Sequence, residues 1–339
     1  MKWLRIIVAA IVASGFATVT CLAQVGGSTA YNFLDVSTSS RIYGLGGVNI
    51  SLVDDDLMLT DQNPALLGPE MSNSLAVSYM RYIGDSNFAA ARYGRGIGER
   101  AAWALGLQYF GYGSIKSADV AGNVTGSFSP KDMALTGTFC HNLGERWRGG
   151  FNLKLLYSAY DAYSALAIAT DLGVNYFDED RGASVSLTVS NLGGQVKRFH
   201  ERYDRLPVDV RLGYTQRLGS TSPVSLSITA HRLTRWNLPY VDAGDGTDEP
   251  KVKNGFMSNL FRHLVFGLDW RPNDNFYLDV AYNYKTRTDM SNFRRSFLSG
   301  FSIGAGVKVK MMQVGVALAQ PHSGATTFMV NLSTNLYEF

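Results

Sequence analysis

The sequence predicts an all-β chain: a transmembrane antiparallel β-barrel of about 14 strands with an N-terminal plug or hatch segment ahead of it. Three observations predict it. A basic and then apolar leader opens the chain, alternation with period two fills most of the chain after Asn73, and strand-like sequence runs into the terminal Tyr337-Glu338-Phe339.

The leader sets the compartment. Lys2 and Arg5 form a basic n-region, and the stretch from Ile6 to Thr20 is apolar and uncharged, which fits a secretory signal rather than a full span. With Cys21 and Ala23 as the small residues before the cut, cleavage follows Ala23 and leaves Gln24 first. A lipoprotein would need Ala, Gly or Ser before Cys21, where Thr20 stands. The chain thus divides into a signal peptide (1–23), an irregular head (24–73) and a barrel (74–339). Loss of Cys21 leaves Cys140 alone, so neither an internal disulfide nor a thiolate metal cluster is available.

Composition agrees with a membrane barrel. Charged residues are 17% and aromatics 12% of the chain, whereas an average soluble protein carries about 25% charged residues. No later apolar segment reaches the roughly 18 residues that a spanning helix needs, while a barrel strand crosses with about 9–11. Formal net charge is +3, and Lys2 and Arg5 leave with the signal. No Lys/Arg cluster with interleaved aromatics exists, so nucleic acid is not an expected partner.

The head has no sustained period. It is rich in Gly, Asp, Ser and Asn, with Gly44-Leu45-Gly46-Gly47 and Asp54-Asp55-Asp56 in its middle. The strands come next. From Tyr163 to Phe177, Leu166, Ile168, Leu172, Val174 and Tyr176 share one face, while Ala165, Ala167, Ala169, Asp171 and Asn175 share the other. Alternate strand residues face opposite sides, here one for lipid and one for a lumen. Val185, Leu187 and Val189 alternate with Ser184, Ser186, Thr188 and Ser190. Val208, Val210, Leu212 and Tyr214 alternate with Asp209, Arg211, Gly213 and Thr215, and Val224, Leu226 and Ile228 with Ser225, Ser227 and Thr229. Phe276, Leu278, Val280, Tyr282 and Tyr284 oppose Asp279, Asn283 and Lys285, and Phe301, Ile303, Val307 and Val309 oppose Ser302, Gly304, Lys308 and Lys310.

Connection lengths orient the barrel. Counting from a first strand near Leu75 to Ile83, the even-numbered connections are short, among them Asn142 to Glu145, Asp178 to Gly182 and Lys310-Met311. Several odd-numbered ones are long: Gly111 to Phe128, Gly193 to Leu206 and Arg235 to Phe261. Short periplasmic turns and long outer loops are the outer-membrane pattern, which puts both termini in the periplasm and the long loops outside. Phe328, Val330 and Leu332 lie on the opposite parity to Tyr337 and Phe339, so a bulge or break is expected near Ser333 to Asn335. Tyr337 and Phe339 would carry the C-terminal barrel-assembly signal.

Such a barrel is too wide for side chains alone to fill. The head is available as a plug, and the small Ala165, Ala167 and Ala169 would let its backbone approach the wall. Pro64, within Asn63-Pro64-Ala65-Leu66-Leu67, would stop a helix and set a turn.

Catalytic and cofactor readings find little. His141, His200, His231, His263 and His322 are scattered without the His-x-x-x-His spacing of a helical zinc site. Cys140 and His141 are adjacent in a strand and point to opposite faces, so they form no nucleophile and base pair. Asp54, Asp55, Asp56 and Asp61 lack the spacing of a calcium loop and suggest a solvated turn. Gly44-Leu45-Gly46 and Gly304-Ala305-Gly306 lack a dinucleotide fingerprint and mark kinks or close backbone contact instead. No cofactor, no metal and no enzymatic activity is expected.

The Asn63, Pro64, Ala65 motif on a head before such a barrel resembles FadL-type barrels, which carry such a motif in an N-terminal hatch. A resemblance over nearly the whole chain rests on Gly26 to Leu34, Ser40-Arg41 leading to Leu45-Gly46-Gly47, Asn63 to Leu67, and Tyr109-Phe110-Gly111-Tyr112-Gly113. There the chain is similar to the PorQ and PorV-like barrels of the type IX secretion system of Bacteroidota. That resemblance implies a non-enzymatic anchor for a PorZ-like surface protein in the cargo attachment complex, beside PorU-like and PorV-like components. Outer-membrane lipid, with lipopolysaccharide as a further candidate, would surround it. The docking surface would be the loop from Arg235 to Phe261, where Trp236, Tyr240, Phe256 and Phe261 stand among polar residues. Equally, these aromatics could form a membrane girdle or pack the loop on itself. The FadL-type resemblance implies a different role, transport of hydrophobic small molecules, and a purely structural barrel is the third reading.

Overall fold

A computed structural model of the protein describes residues 29–119, 121–199, 203–219, 222–242, 251–290, 299–322 and 325–336. The leader, Tyr337 and Phe339 lie outside these residues. In chain order the strands are β1 (Ser74–Arg81), β2 (Asn87–Ile97), β3 (Ala101–Gly111), β4 (Ile115–Ala118), β5 (Val124–Phe128), β6 (Lys131–Asn142), β7 (Trp147–Tyr160), β8 (Tyr163–Asp178) and β9 (Ala183–Lys197). They continue with β10 (Asp209–Arg217), β11 (Val224–Ala230), β12 (Tyr240–Asp242), β13 (Lys251–Lys253), β14 (Leu264–Asn273), β15 (Phe276–Asn283), β16 (Phe301–Val309), β17 (Met312–His322) and β18 (Ala325–Asn335). Three short helices are α1 (Ser40–Gly44), α2 (Phe256–His263) and α3 (Tyr284–Asp289).

Fourteen strands close into one antiparallel barrel in which each pairs with its sequence neighbours and β1 meets β18. β4–β5 and β12–β13 are separate hairpins carried on long connections. Alternation decides which side is which. In β8 the buried Ala165, Ala167, Ala169, Asp171 and Asn175 face inward, whereas Leu166, Ile168, Leu172 and Val174 are exposed. The same inversion holds around the barrel, with Leu105, Leu135, Leu153, Leu187, Leu212, Ile228, Val280, Ile303 and Leu318 outside. Inside stand Thr136, Asn152, Ser186, Thr188, Thr229, Asp279 and Asn331. An apolar exterior with a polar interior belongs in lipid. No described helix is long and apolar enough to cross a membrane. Aromatic pairs Tyr93–Trp103, Trp147–Tyr176 and Trp270–Phe276 flank the short-turn end, and Tyr282–Phe301 flanks the other.

Four expectations change. β15 ends at Asn283, whose side chain accepts a hydrogen bond from the Thr286 amide and so caps α3; Tyr284 and Lys285 are therefore helical rather than strand residues. β18 pairs with β1 in unbroken register through Asn335, so no bulge lies at Ser333 to Asn335; the irregularity falls between Ala319 and His322 in β17. Gly193 to Lys197 extends β9 instead of starting a loop. The pairing there shifts register between Thr170 and Leu172, where Ser190 and Asn191 both oppose Asp171. Finally, the acidic run of the head is only partly solvated: the Asp54 and Asp56 side chains are buried, while Asp55 is exposed and pairs with Lys308 of the barrel wall.

Candidate functional site

The described head, 29–73, bonds to wall strands all around the barrel. Arg41 of α1 is 1% exposed, donates to Asp269 of β14 at 2.6 Å, lies 3.8 Å from Asp279 of β15 and pairs with Asp54. Asp54 also meets Arg271 at 2.6 Å, and Asp55 meets Lys308 at 2.8 Å. Asp61 accepts from Arg92 of β2 and Gln108 of β3, and Glu70 from Arg148 of β7. Asp56 caps the Met58 amide and accepts from Ser39. The aspartates therefore serve separate partners. Desolvation alone would make buried charges costly, which the opposite wall charges offset.

The Asn63-Pro64-Ala65 turn is held from both sides. Asn63 Oδ1 accepts from the Ala65 amide at 3.0 Å, and its Nδ2 donates to the Ile50 carbonyl at 2.7 Å. The turn rests on Gly150 of β7 and Gly173 of β8, which are cross-strand partners. A Cβ at Gly150 would lie 2.6 Å from the Pro64 oxygen, and one at Gly173 would overlap Asn63 Oδ1. The two glycine motifs meet as well: a Cβ at Gly44 would stand 2.6 Å from the Gly304 Cα. Close backbone contact, one of the two readings of these motifs, is what the structure places there.

Among the described residues, two cavities lie beside the head at the end that carries the long connections. One is an open cup of about 610 Å3, lined chiefly by Ala30, Tyr31, Tyr112, Tyr160, Tyr163 and Phe199. Its rings adjoin one another, with Tyr112 5.8 Å and Phe199 5.4 Å from Tyr160 between centroids. Behind the wall sits Asp132 of β6, 1% exposed. It accepts from the Tyr112 hydroxyl at 2.5 Å, from the Tyr160 hydroxyl at 2.9 Å and from Ser158 Oγ. Burial first, and then the bond to Asp132, push the Tyr112 phenol up, so it stays a donor. Since these hydroxyls point at Asp132, the cup is faced with rings. Tyr31 holds a left-handed backbone, φ 60°, a conformation costing about 1–3 kcal/mol away from glycine that tends to mark functional sites. No sequence period singles out these residues; Tyr112 stands out in the sequence only as part of its Tyr-Phe-Gly-Tyr-Gly motif.

The second cavity, about 290 Å3, includes the charged or titratable Asp35, Asp209, Arg211, His231, Arg232 and Lys285 in its lining. Asp35 pairs with Arg232 at 2.9 Å, Asp209 with Arg211 at 2.7 Å, and Lys285 with Asp289. Burial, followed by Arg232, Arg211, Lys285 and His263, holds His231 well below its ordinary value. The 3-10 turn Asn32–Asp35 separates the two spaces, and Asn32 lines both.

The loop aromatics divide. Trp236 lies 5.3 Å from Phe256 and stacks on His263, whose two ring nitrogens lie 3.0 Å from the Trp236 carbonyl oxygen and 2.8 Å from that of His231. Tyr240 is covered by Arg262, and Phe261 turns toward Tyr284. Phe256 and Met257 are 65% and 58% exposed. Cys140 faces inward at 1% exposure while His141 is exposed, as adjacent strand residues must be. His200 lies outside the described residues.

No family model matches the chain, and no curated protein matches it. Solved structures do. The Ralstonia pickettii toluene transporter TbuX aligns with TM-score 0.50 at 11% identity over 87% of this chain and 96% of that one. A Pseudomonas aeruginosa FadL homologue gives 0.51 at 12% over 88% and 98%. The Pseudomonas putida toluene transporter TodX gives 0.52 at 10% over 88% and 97%. At such identities the likeness concerns the fold, which is that of FadL-like outer-membrane barrels.

Proposed function

We propose that this chain is a non-enzymatic, FadL-like barrel of the outer membrane that admits small hydrophobic molecules, with its head as the plug and the long connections outside. The aromatic cup carries the reading. Concave apolar sites with few polar groups bind small ligands, and here Tyr112, Tyr160 and Ser158 spend their hydroxyls on Asp132. Toluene transporters among the structures of the same fold agree with that ligand class. The test is toluene binding by the detergent-solubilised barrel, read from intrinsic fluorescence, beside labelled-toluene uptake by cells with and without it. Saturable binding and faster uptake are expected; no binding together with equal uptake would overturn the proposal.

A second reading is favoured by the apolar face of α2, where exposed Phe256 and Met257 adjoin Trp236. That patch suits a docking platform for a PorZ-like surface protein, with PorU-like and PorV-like partners of a type IX attachment complex. Affinity capture from the native membrane tests it. Recovery of a large surface protein, lost when 235–261 is deleted, supports docking; recovery of the barrel alone removes it.

A further inference from the structure

We infer that the aromatic cup selects organic cations of the quaternary-ammonium class over neutral or anionic molecules of the same shape. This rests on the cup being the ligand site of the proposed transport role, and adds the charge of the ligand. The first observation is a missing countercharge. Asp171, Asp178, Asp209, Asp269 and Asp279, the other buried aspartates of the strands, each have a Lys or Arg nitrogen within 3.8 Å. Asp132 is as buried as they are, yet no Lys or Arg among the described residues forms an ion pair with it. Its charge is met by three hydroxyls, and those belong to Tyr112, Tyr160 and Ser158, all of which line the cup.

The second observation is what those hydroxyls present. A phenol that donates to a carboxylate gains electron density in its ring, and the ring face is what attracts a cation. Tyr31, Tyr163 and Phe199 add further aromatic rings to the lining. A cation in the cup would therefore meet rings in front and a carboxylate one residue behind them. Among the described residues, Lys197 donates to Ser164 at 2.7 Å, Arg198 lies over Tyr203, and neither lines the cup. A metal ion is a poor fit, because hard cations need several free oxygen ligands and three of these hydroxyls are already committed. A soft, weakly hydrated ammonium needs none. An anion would face Asp132 across the rings and is disfavoured.

The experiment titrates the full detergent-solubilised barrel with choline, with its uncharged isostere 3,3-dimethylbutan-1-ol and with the anionic 3,3-dimethylbutanoate, by calorimetry. Choline is expected to bind about tenfold or more tighter than the alcohol, the size of a desolvated cation–π gain, and the anion not at all. Asp132→Asn should bring choline close to the alcohol. Should that variant fail to fold, Phe199→Leu keeps an apolar wall while removing one ring, and should weaken choline alone. Equal binding of choline and alcohol, alongside toluene, overturns the charge preference and leaves the transport reading standing. Absence of binding by toluene and all three probes overturns both. A choline preference untouched by both substitutions removes it from this cup.

Discussion

Gly150 and Gly173 decide where the Asn63-Pro64-Ala65 turn can sit. They face each other across β7 and β8 and leave a flat spot in the inner wall, into which the Pro64 carbonyl and the Asn63 side chain descend. Gly173→Val would drive a branched side chain into Asn63 Oδ1, and overpacking of this kind costs about 1–3 kcal/mol. The expected outcome is a lower thermal midpoint of the folded band in a heat-modifiability gel, whereas Gly137→Ala, with open space beside it, should leave the midpoint unchanged. Asn63→Ala removes the cap on Ala65 and strands the Ile50 carbonyl; an unmet buried polar group costs about 1–3 kcal/mol. Guanidinium unfolding should resolve that loss, and an unchanged midpoint would refute the role given to Asn63. The turn itself was legible in the sequence, since Asn-Pro writes a local instruction. Its seat was not, because the two glycines lie far along the chain and look like any other strand glycines.

Among elements, the head and the wall are coupled by charge. Arg41 is enclosed by Asp54, Asp269 and Asp279, so Arg41→Met would leave buried carboxylates unpaired, a loss of about 3–5 kcal/mol. Adding Asp269→Asn to that variant should recover part of the stability, and failure to recover any would show that the pair is not what holds α1. At the opposite end the neutral His231 ties the mouth to pH. Its folded pKa lies well below the ordinary 6.5, so the unfolded chain binds the extra proton first as pH drops. The stability it lends is fully present above that ordinary value and is lost as pH falls toward the folded one, by at most about 1.4 kcal/mol per pH unit. Protease protection of the mouth should weaken between pH 7.5 and 5.5, and His231→Asn should flatten that dependence. A wild-type profile with no slope would sink the assignment.

At the scale of the whole molecule, lipid replaces a core as the solvent for most apolar side chains. Ile168 lies on the exposed face of β8 beside the inward Ala167 and Ala169. Ile168→Arg should cost about 2–4 kcal/mol if it lies at the bilayer midplane, and reduced folding yield into vesicles measures it. The sequence by itself determined the barrel: strand alternation records the inner and outer face at every residue, and connection lengths record where the chain reverses. Both signals are local, so no tertiary knowledge is needed to read them. It also marked the head by its lack of period, and the Gly44 and Gly304 motifs as sites of a kink or of close contact. Tertiary structure alone decided that Asp54, Asp55 and Asp61 bond separate wall groups, that Tyr284 begins a helix, and that Ser333 to Asn335 stays in register. It alone assembled the cup. Tyr31, Tyr112, Tyr160 and Phe199 come from four separate places in the chain, and Asp132 from a fifth. Nothing in the sequence joins them into one site, because the charge and shape of a cavity are set by which strand ends the closure of the barrel brings side by side.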